Sequence, residues 1–512
     1  MPSFSELFAF QPNRKPVLWL GGLLFGIAGV IVLRSVFDPY GQLQNDSYFY
    51  LRMAHSLAAA GPPLLIHGSY ETTWPPGLPA FIAGVMALSG GSISLFWASK
   101  VANILLLASG AALLWWRFKK DAPAYLAVFA LAPPLMLLSQ TLSEAPFMIA
   151  MLAFVLLLVR GLQQKSAALL FAAGLFCFLL FMIRYIGLFA LGITLPAALL
   201  LAVMGFRREA GWLSLGSFLS IIMMGGWFWL SYQLTNLATG IERTPAPHGV
   251  FEGMYHIIRA LGDELNMLHV LGNQQPVLFG ITLLIQAGLL WLLWKSWRQR
   301  KTKAARPLSL FTLLCAAAGG LYFIGIALVH IIFGVHSFYY RLVTPATLLL
   351  LFGLLHLLLG QQDDGFRARI HHVLMSAALV CMLLYGPGYA LHERTIENKM
   401  TRTEYETFVQ NFYASVPARS VIVYAHYPAY YLRPDLAIEF PLFTPEHAIQ
   451  ESWTDFTQRL HRDYVRRGYE IYFVNVHPDR LREGTHPSVV REAGRLYNGK
   501  TELRRMRLSA PE

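Results

Sequence analysis

Charge is scarce in this chain: Asp, Glu, Lys and Arg make up 14% of its 512 residues. An ordinary soluble domain carries about 25%. Hydrophobic residues account for 55%, so most of the chain is built for solvation by lipid. Acid is the scarcer sign, with 29 Asp and Glu against 41 Lys and Arg, for a net charge of +12. The basic residues are scattered between apolar runs, which argues against nucleic acid as a partner. In a membrane protein they belong first in cytoplasmic loops, where they set topology. Cysteine is nearly absent. Cys177, Cys315 and Cys381 all lie inside apolar runs, and no CxxC occurs, so neither a disulfide framework nor a cysteine metal site is available. Tandem repeats are lacking as well.

What is present is a series of long apolar segments. A crossing helix needs roughly 20 apolar residues, and on that measure the spans are expected at 17–36, 94–116, 122–139, 144–160, 166–183, 185–204, 211–232, 276–295, 307–333, 341–360 and 372–389, about eleven in all. The first follows Arg14 and Lys15 and no small-x-small cleavage site comes after it, so it reads as a retained signal-anchor helix rather than a cleaved signal peptide. Pro76–Gly90 is apolar but short. As a span it would put Arg117–Lys120 outside; as a juxtamembrane helix on the outer surface it leaves them inside, which the positive-inside rule prefers. The cytoplasmic segments are then Arg14/Lys15, Arg117–Lys120, Arg160–Lys165, Arg207/Arg208, Lys295–Arg306 and Gln361–His372. An odd number of spans from a cytoplasmic N-terminus places the C-terminal region outside.

That region has a different texture. Ser420–His426 and Tyr469–Val476 are short β-rich runs, and Thr444–Gly468 between them has helical periodicity with a Thr-Pro-Glu start. Thr401–Val416 and Ser488–Asn498 also read as helices. The pattern predicts a transmembrane domain over 1–389 and a small α/β domain over 390–512.

Just after the first apolar run comes Gln44-Asn45-Asp46-Ser47-Tyr48-Phe49-Tyr50-Leu51-Arg52, expected to be helical from Tyr48 to Leu57. The helix continues as Tyr50-Leu51-Arg52-Met53-Ala54-His55-Ser56-Leu57-Ala58-Ala59-Ala60-Gly61, and Trp74-Pro75-Pro76-Gly77-Leu78-Pro79 follows. With Leu142-Ser143-Glu144-Ala145-Pro146 and Tyr339-Tyr340-Arg341-Leu342-Val343-Thr344-Pro345, this order resembles the GT-C superfamily of polyprenyl-phosphate-sugar-dependent glycosyltransferases. It stands nearest to the protein O-mannosyltransferases and lipid A aminoarabinose transferases. The resemblance covers residues 15–360 in topology. It implies a membrane all-α GT-C-type bundle with external juxtamembrane helices, followed by the small external α/β domain. Two departures stand out. The family's Asp-Glu pair is here Asn45-Asp46, and Thr72-Thr73-Trp74 stands where a lysine is often found near the paired prolines. No metal ligand is therefore assigned, and no cofactor is certain; a divalent metal ion stays open.

The implied reaction is displacement at a sugar's anomeric carbon, with a lipid phosphate leaving and a lipid, glycan or protein acceptor attacking. Phosphate departs without protonation if cations neutralise it, so one general base and a few basic residues suffice. Asp46 is the candidate base; the bland alternative is that it caps its helix. Glu144 is the second candidate, for acceptor or metal binding, although an acid is favourable at any helix start. Arg184 interrupts two apolar runs, a costly position unless paired and a functional candidate for that reason. A planar guanidinium matches phosphate oxygens, and snorkelling to the interface is the alternative. Arg341 with Tyr340 is a second phosphate candidate, and Arg52 either pairs with Asp46 or faces phosphate. Asp38 reads as a turn residue. In the loop 233–275, His248, His256, Arg259 and His269 lack compact ligand spacing, so solvated positions are expected rather than a zinc site. Tyr255–Leu268 is expected to be an amphipathic helix covering the donor's lipid chain.

The sequence thus predicts an integral protein, of a bacterial inner or cell membrane, with the N-terminus cytoplasmic and the C-terminal domain extracytoplasmic. Three rivals stand beside the glycosyltransferase. A secondary transporter should carry internal repeats and midplane polar residues. A lipid-linked glycan polymerase or ligase should concentrate arginines in a late loop. A non-catalytic scaffold is the third.

Overall fold

The computed structural model describes residues 14–38, 45–59, 72–240, 248–264, 308–333, 338–360, 364–395, 402–423, 428–439, 453–474, 490–498 and 501–508, with isolated positions between them. The chain forms two units, one of Met1–Gln42 with Lys100–Lys399, the other of Leu43–Ser99 with Met400–Glu512. Among the described residues eight helices are long and apolar enough to cross a membrane, and the protein is an integral membrane protein.

In the first unit the long helices are α1 (Arg14–Phe37), α4 (Leu95–Phe118, entering from the second unit), α7 (Glu144–Gln164), α9 (Leu191–Val203, entered through a 3-10 turn), α10 (Arg207–Thr235), α12 (Leu310–Phe333), α13 (Tyr340–Leu359) and α14 (Asp364–Leu383), with α15 (Tyr389–Thr395) extending the last. The shorter α8 (Ala167–Ile183) packs beside α10. The contact needs glycine: a Cβ on Gly216 would fall on the Phe171 carbonyl oxygen, and one on Gly174 would stand 2.6 Å from the Ser217 nitrogen. That close approach lets Ser220 Oγ bond the Gly174 carbonyl at 2.8 Å; Ser217 Oγ in turn bonds Thr194 Oγ1 of α9 at 2.9 Å.

The span expected at 122–139 is two short helices, α5 (Ala122–Phe129) and α6 (Ala132–Ser139). The break falls at Leu131, which is extended with φ −69° and ψ 155°. Pro133 and Pro134 follow, and prolines are tolerated in a first turn but not in a helix interior. Both pieces are enclosed by protein along almost their whole length. The span expected at 276–295 lies mostly outside the described residues, as does the basic run 295–306.

Enclosure is uneven. In α7 and α13, 78% and 72% of the apolar window is buried, whereas in the other spans it is 22–39%. These two form the interior of the unit, and the rest turn apolar side chains outward, as lipid requires. Each interior helix carries polar residues at its first turn.

The second unit holds α2 (Asn45–Ala58) and α3 (Gly77–Leu88) together with the C-terminal region. At 12 residues, α3 rises about 18 Å, well short of the ~30 Å hydrocarbon layer. Phe49 stacks on Trp74 with centroids 4.5 Å apart and meets Tyr430 edge-on at 5.7 Å. These rings tie α2 to the Trp-Pro-Pro turn and to the C-terminal region. After α16 (Arg402–Phe412) come β1 (Ser420–Val423), α17 (Ala429–Leu432), β2 (Ala437–Glu439), α18 (Trp453–Asp463), β3 (Glu470–Val474), β4 (Val490–Asn498) and β5 (Thr501–Leu508). The sheet order is β2-β1-β3-β5-β4, with β1 parallel to β2 and β3. Val421, Val423, Ile471 and Phe473 pack against Phe456 and Leu460 of α18. Where a helix is expected at 488–498, the described residues Val490–Asn498 are a strand. It pairs antiparallel with β5, Asn498 standing opposite Thr501, and the pairing overrides a helical pattern; the Asn-Gly dipeptide at 498–499 was the hairpin signal.

Candidate active site

The first turns of α7 and α13 bring three charged side chains together. Glu144, the first residue of α7, is 1% exposed. Its Oε1 lies 2.5 Å from Arg184 Nη1 and 3.0 Å from Arg341 Nε. Arg184 comes from the junction after α8, where it is a single extended residue with φ −150° and ψ 132° before the 3-10 turn. Arg341 comes from the start of α13. The two guanidiniums therefore reach one carboxylate from separate parts of the unit. Their side chains are 13% and 17% exposed, so the cations stand at the open edge and the anion behind them.

A buried carboxylate without partners would be costly; between two guanidiniums it is matched. The cluster carries a net charge of +1 by formal count, with planar donors at its accessible side. That arrangement suits an oxygen anion such as phosphate. A carboxylate already flanked by two guanidiniums does not fit a divalent cation. Arg184 Nη1 also donates to Ser143 Oγ at 3.1 Å. Beneath lie rings: Phe147 is 5.5 Å from Tyr322 and 6.0 Å from the Arg184 guanidinium carbon. Tyr340 is buried beside Tyr339, their centroids 5.6 Å apart.

The segment leading into Glu144 is held by residues that sequence reasoning passed over. Lys100 Nζ donates to the Ser139 carbonyl at 2.8 Å and to Thr141 Oγ1 at 3.0 Å. Asn103 Nδ2 donates to the carbonyls of Leu138 and Gln140, both at 2.8 Å. These bonds satisfy backbone groups released where α6 ends, and so fix the approach to α7. A lysine and an asparagine inside an apolar span were the signal available.

A second missed residue is Glu264, at the end of α11 (Val250–Glu264) and 2% exposed. Its Oε2 accepts a 2.9 Å bond from Thr344 Oγ1, one turn beyond Tyr340, whose carbonyl accepts from the same hydroxyl. Burial pushes its carboxyl well above the usual range; the Thr344 bond opposes this, and Asp263 adds to it. The helix starts five residues before the expected 255, and 265–268 lie outside the described residues. Its outer face exposes Phe251, Tyr255 and Ile258 at 88%, 62% and 59%.

The remaining candidates divide as follows. Asp46 and Arg52 belong to the second unit, Glu144, Arg184, Tyr340 and Arg341 to the first. Asp46 is half-buried in the first turn of α2, which starts at Asn45; it is inside the helix rather than at its cap position. Arg52 is buried and donates to the Tyr430 carbonyl at 3.3 Å. Desolvation lowers its pKa to about 10, with Asp435 opposing the shift. Asp38 accepts a 2.6 Å bond from the Tyr389 hydroxyl, beside which Arg34 lies 4.4 Å above the Tyr389 ring. His248 and His256 meet a third histidine, His330 of α12; His269 lies outside the described residues.

No protein-family model and no curated protein sequence matches the chain. Solved structures do. ArnT from Cupriavidus metallidurans bound to undecaprenyl phosphate superposes with a TM-score of 0.59 at 13% identity, covering 96% of this chain and 98% of that one. The same protein in the apo state gives 0.58 at 13% identity, covering 94% and 97%. A weaker likeness, TM-score 0.45 at 12% identity over 89% of this chain and 69% of that one, is to the archaeal oligosaccharyltransferase AglB from Archaeoglobus fulgidus, in complex with an inhibitory peptide and a dolichol-phosphate. The fold is of the GT-C type, ArnT-like over nearly its whole length.

Proposed function

We propose that this integral membrane protein is a glycosyltransferase that moves a sugar from a polyprenyl-phosphate donor to a lipid, glycan or protein acceptor at the outer face of the membrane. The observation that carries the reading is the convergence of Arg184 and Arg341 on buried Glu144. It is a cationic, planar-donor cluster at the mouth of the most enclosed helices, in a fold whose neighbour ArnT was solved with undecaprenyl phosphate bound.

On this reading Asp46 takes the proton from the acceptor hydroxyl, and the acceptor oxygen then forms its bond to the anomeric carbon. The bond from that carbon to the phosphate oxygen breaks, and both electrons stay with the phosphate. Arg184 and Arg341 neutralise the charge that develops there, which removes any need for an acid on the leaving group. Glu144 orients the two guanidiniums; Tyr340 lines the donor side. Arg52, buried on α2 of the second unit, is the remaining candidate for binding phosphate. The exposed Phe251, Tyr255 and Ile258 of α11 lie along the prenyl chain. Residues 390–512 form the extracytoplasmic domain and contribute to acceptor binding, with the N-terminus on the cytoplasmic side.

The test is transfer from defined polyprenyl-phosphate sugars by purified protein in lipid nanodiscs. Asp46→Asn should abolish transfer, by about 10²- to 10⁴-fold for a lost general base, and leave lipid-phosphate binding intact. Full transfer by a folded Asp46→Asn protein would remove Asp46 as the base. Failure of every polyprenyl-phosphate donor with the wild type would remove the reaction.

A further inference from the structure

We infer that His248, His256 and His330 form a metal site for a divalent first-row transition ion, zinc foremost, that clamps the start of α11 to the end of α12. One ligand nitrogen from each ring lies within 4.8 Å of the other two. His256 Nδ1 and His330 Nε2 are 3.4 Å apart. Two imidazole nitrogens on one tetrahedral zinc, each about 2.0–2.1 Å from the ion, stand about 3.3 Å apart. That pair is therefore already at bridging distance, and the third nitrogen lies within 4.8 Å of both.

Four further observations favour an ion over a set of solvated rings. His248 Nε2 is buried and has no hydrogen-bond partner among the described residues, a cost that ligation would remove. Its ring lies close over Gly253, where an added Cβ would stand 3.1 Å from Nε2 and crowd the ring. The backbone is tied at the same place, since Ala246 N donates to the Ile332 carbonyl at 3.0 Å. His330 is 1% exposed and backed by Phe338, with centroids 4.7 Å apart. Packing against Gly253 and Phe338 thus holds the His248 and His330 rings in place.

The donor set selects the ion. Three neutral imidazoles and no carboxylate suit zinc, copper or nickel, whereas magnesium and calcium require oxygen ligands. A three-histidine set leaves a fourth position for water or an oxygen anion. The cluster involves none of the residues assigned to sugar transfer, so it stands or falls separately from that reading.

The experiment uses full-length protein in nanodiscs, stripped with chelator and titrated with zinc, with bound metal counted by elemental analysis. One zinc per chain is expected, together with a raised melting temperature. His248→Ala, His256→Ala and His330→Ala should each weaken zinc binding more than about 100-fold, because loss of even an outer-shell partner of a metal ligand costs about 10- to 100-fold. His372→Ala, whose ring bonds the Ala368 carbonyl on α14, should bind as wild type does. No zinc binding by the wild type, or wild-type affinity in a folded His330→Ala protein, would overturn the site. Should all three variants fail to fold, zinc-edge absorption of the loaded wild type decides: imidazole scattering is expected, and an all-oxygen shell refutes the assignment.

Discussion

Replacing Arg184 by methionine keeps an unbranched stem and deletes the guanidinium and its charge. Glu144 Oε1 now has one cation at 2.5 Å and another at 3.0 Å; the variant leaves it Arg341 alone, and the formal cluster charge falls from +1 to zero. Breaking a buried pair outright costs about 3–5 kcal/mol. With one cation remaining, the stability loss should sit at or below the low end of that range. The effect on ligand is separable. A hydrogen bond to a charged group contributes about 1.5–3 kcal/mol, and each 1.4 kcal/mol is about tenfold in affinity. The Kd for undecaprenyl phosphate should therefore rise about 10- to 150-fold. Arg184→Lys should fall between, since it restores the charge without the planar fork. The assay is a lipid-phosphate titration of nanodisc-embedded protein, with melting temperature followed in parallel. A folded Arg184→Met protein that binds with wild-type Kd would show that the Arg184–Glu144 pair is merely structural.

Two other perturbations test the frame around the site. Glu264 has a raised carboxyl pKa, so the folded state favours its protonated form. Its contribution to stability is present below the ordinary carboxylate value of about 4.3 and is lost as pH rises toward the raised one. Glu264→Gln retains an acceptor for Thr344 and cannot titrate, so the melting temperature of wild type relative to the variant should decline across that window; a flat difference would contradict the burial argument. Gly216→Ala should separate α8 from α10 and cost about 1–3 kcal/mol, whereas Gly226→Ala on the same helix, with nothing within 4 Å of its added Cβ, should be neutral or stabilising. Equal melting temperatures for the two would refute the close approach.

The parts of the fold that were legible in the sequence are those that a single segment specifies. A run of apolar residues fixes a span wherever it falls, and a charge inside such a run stands out because lipid makes it expensive; Arg184 was visible for that reason, and Glu144 through the resemblance of its segment to a family pattern. The parts that stayed hidden depend on partners far along the chain. His330 is an ordinary histidine until His256, 74 residues away, is placed beside it. Thr344 and Glu264 are 80 residues apart, and neither hints at the other. The strand at 490–498 was misread because its helical pattern is local and its partner strand lies beyond a turn. The break at Leu131 was legible in the paired prolines, but an overall apolar count smoothed across it.

The buried acid between two arginines has a consequence for turnover. Without a bound lipid phosphate, Glu144 is the counter-ion of both guanidiniums. On the proposed reading an arriving phosphate shares the two guanidiniums with this carboxylate, and its gain is the excess over what the carboxylate already supplies. Affinity is thereby capped from within. On the proposed reading, the spent carrier and the loaded donor present the same anion, and a site without that internal competitor would retain the spent one; Glu144 would then set the rate at which the carrier is surrendered rather than the strength with which it is caught.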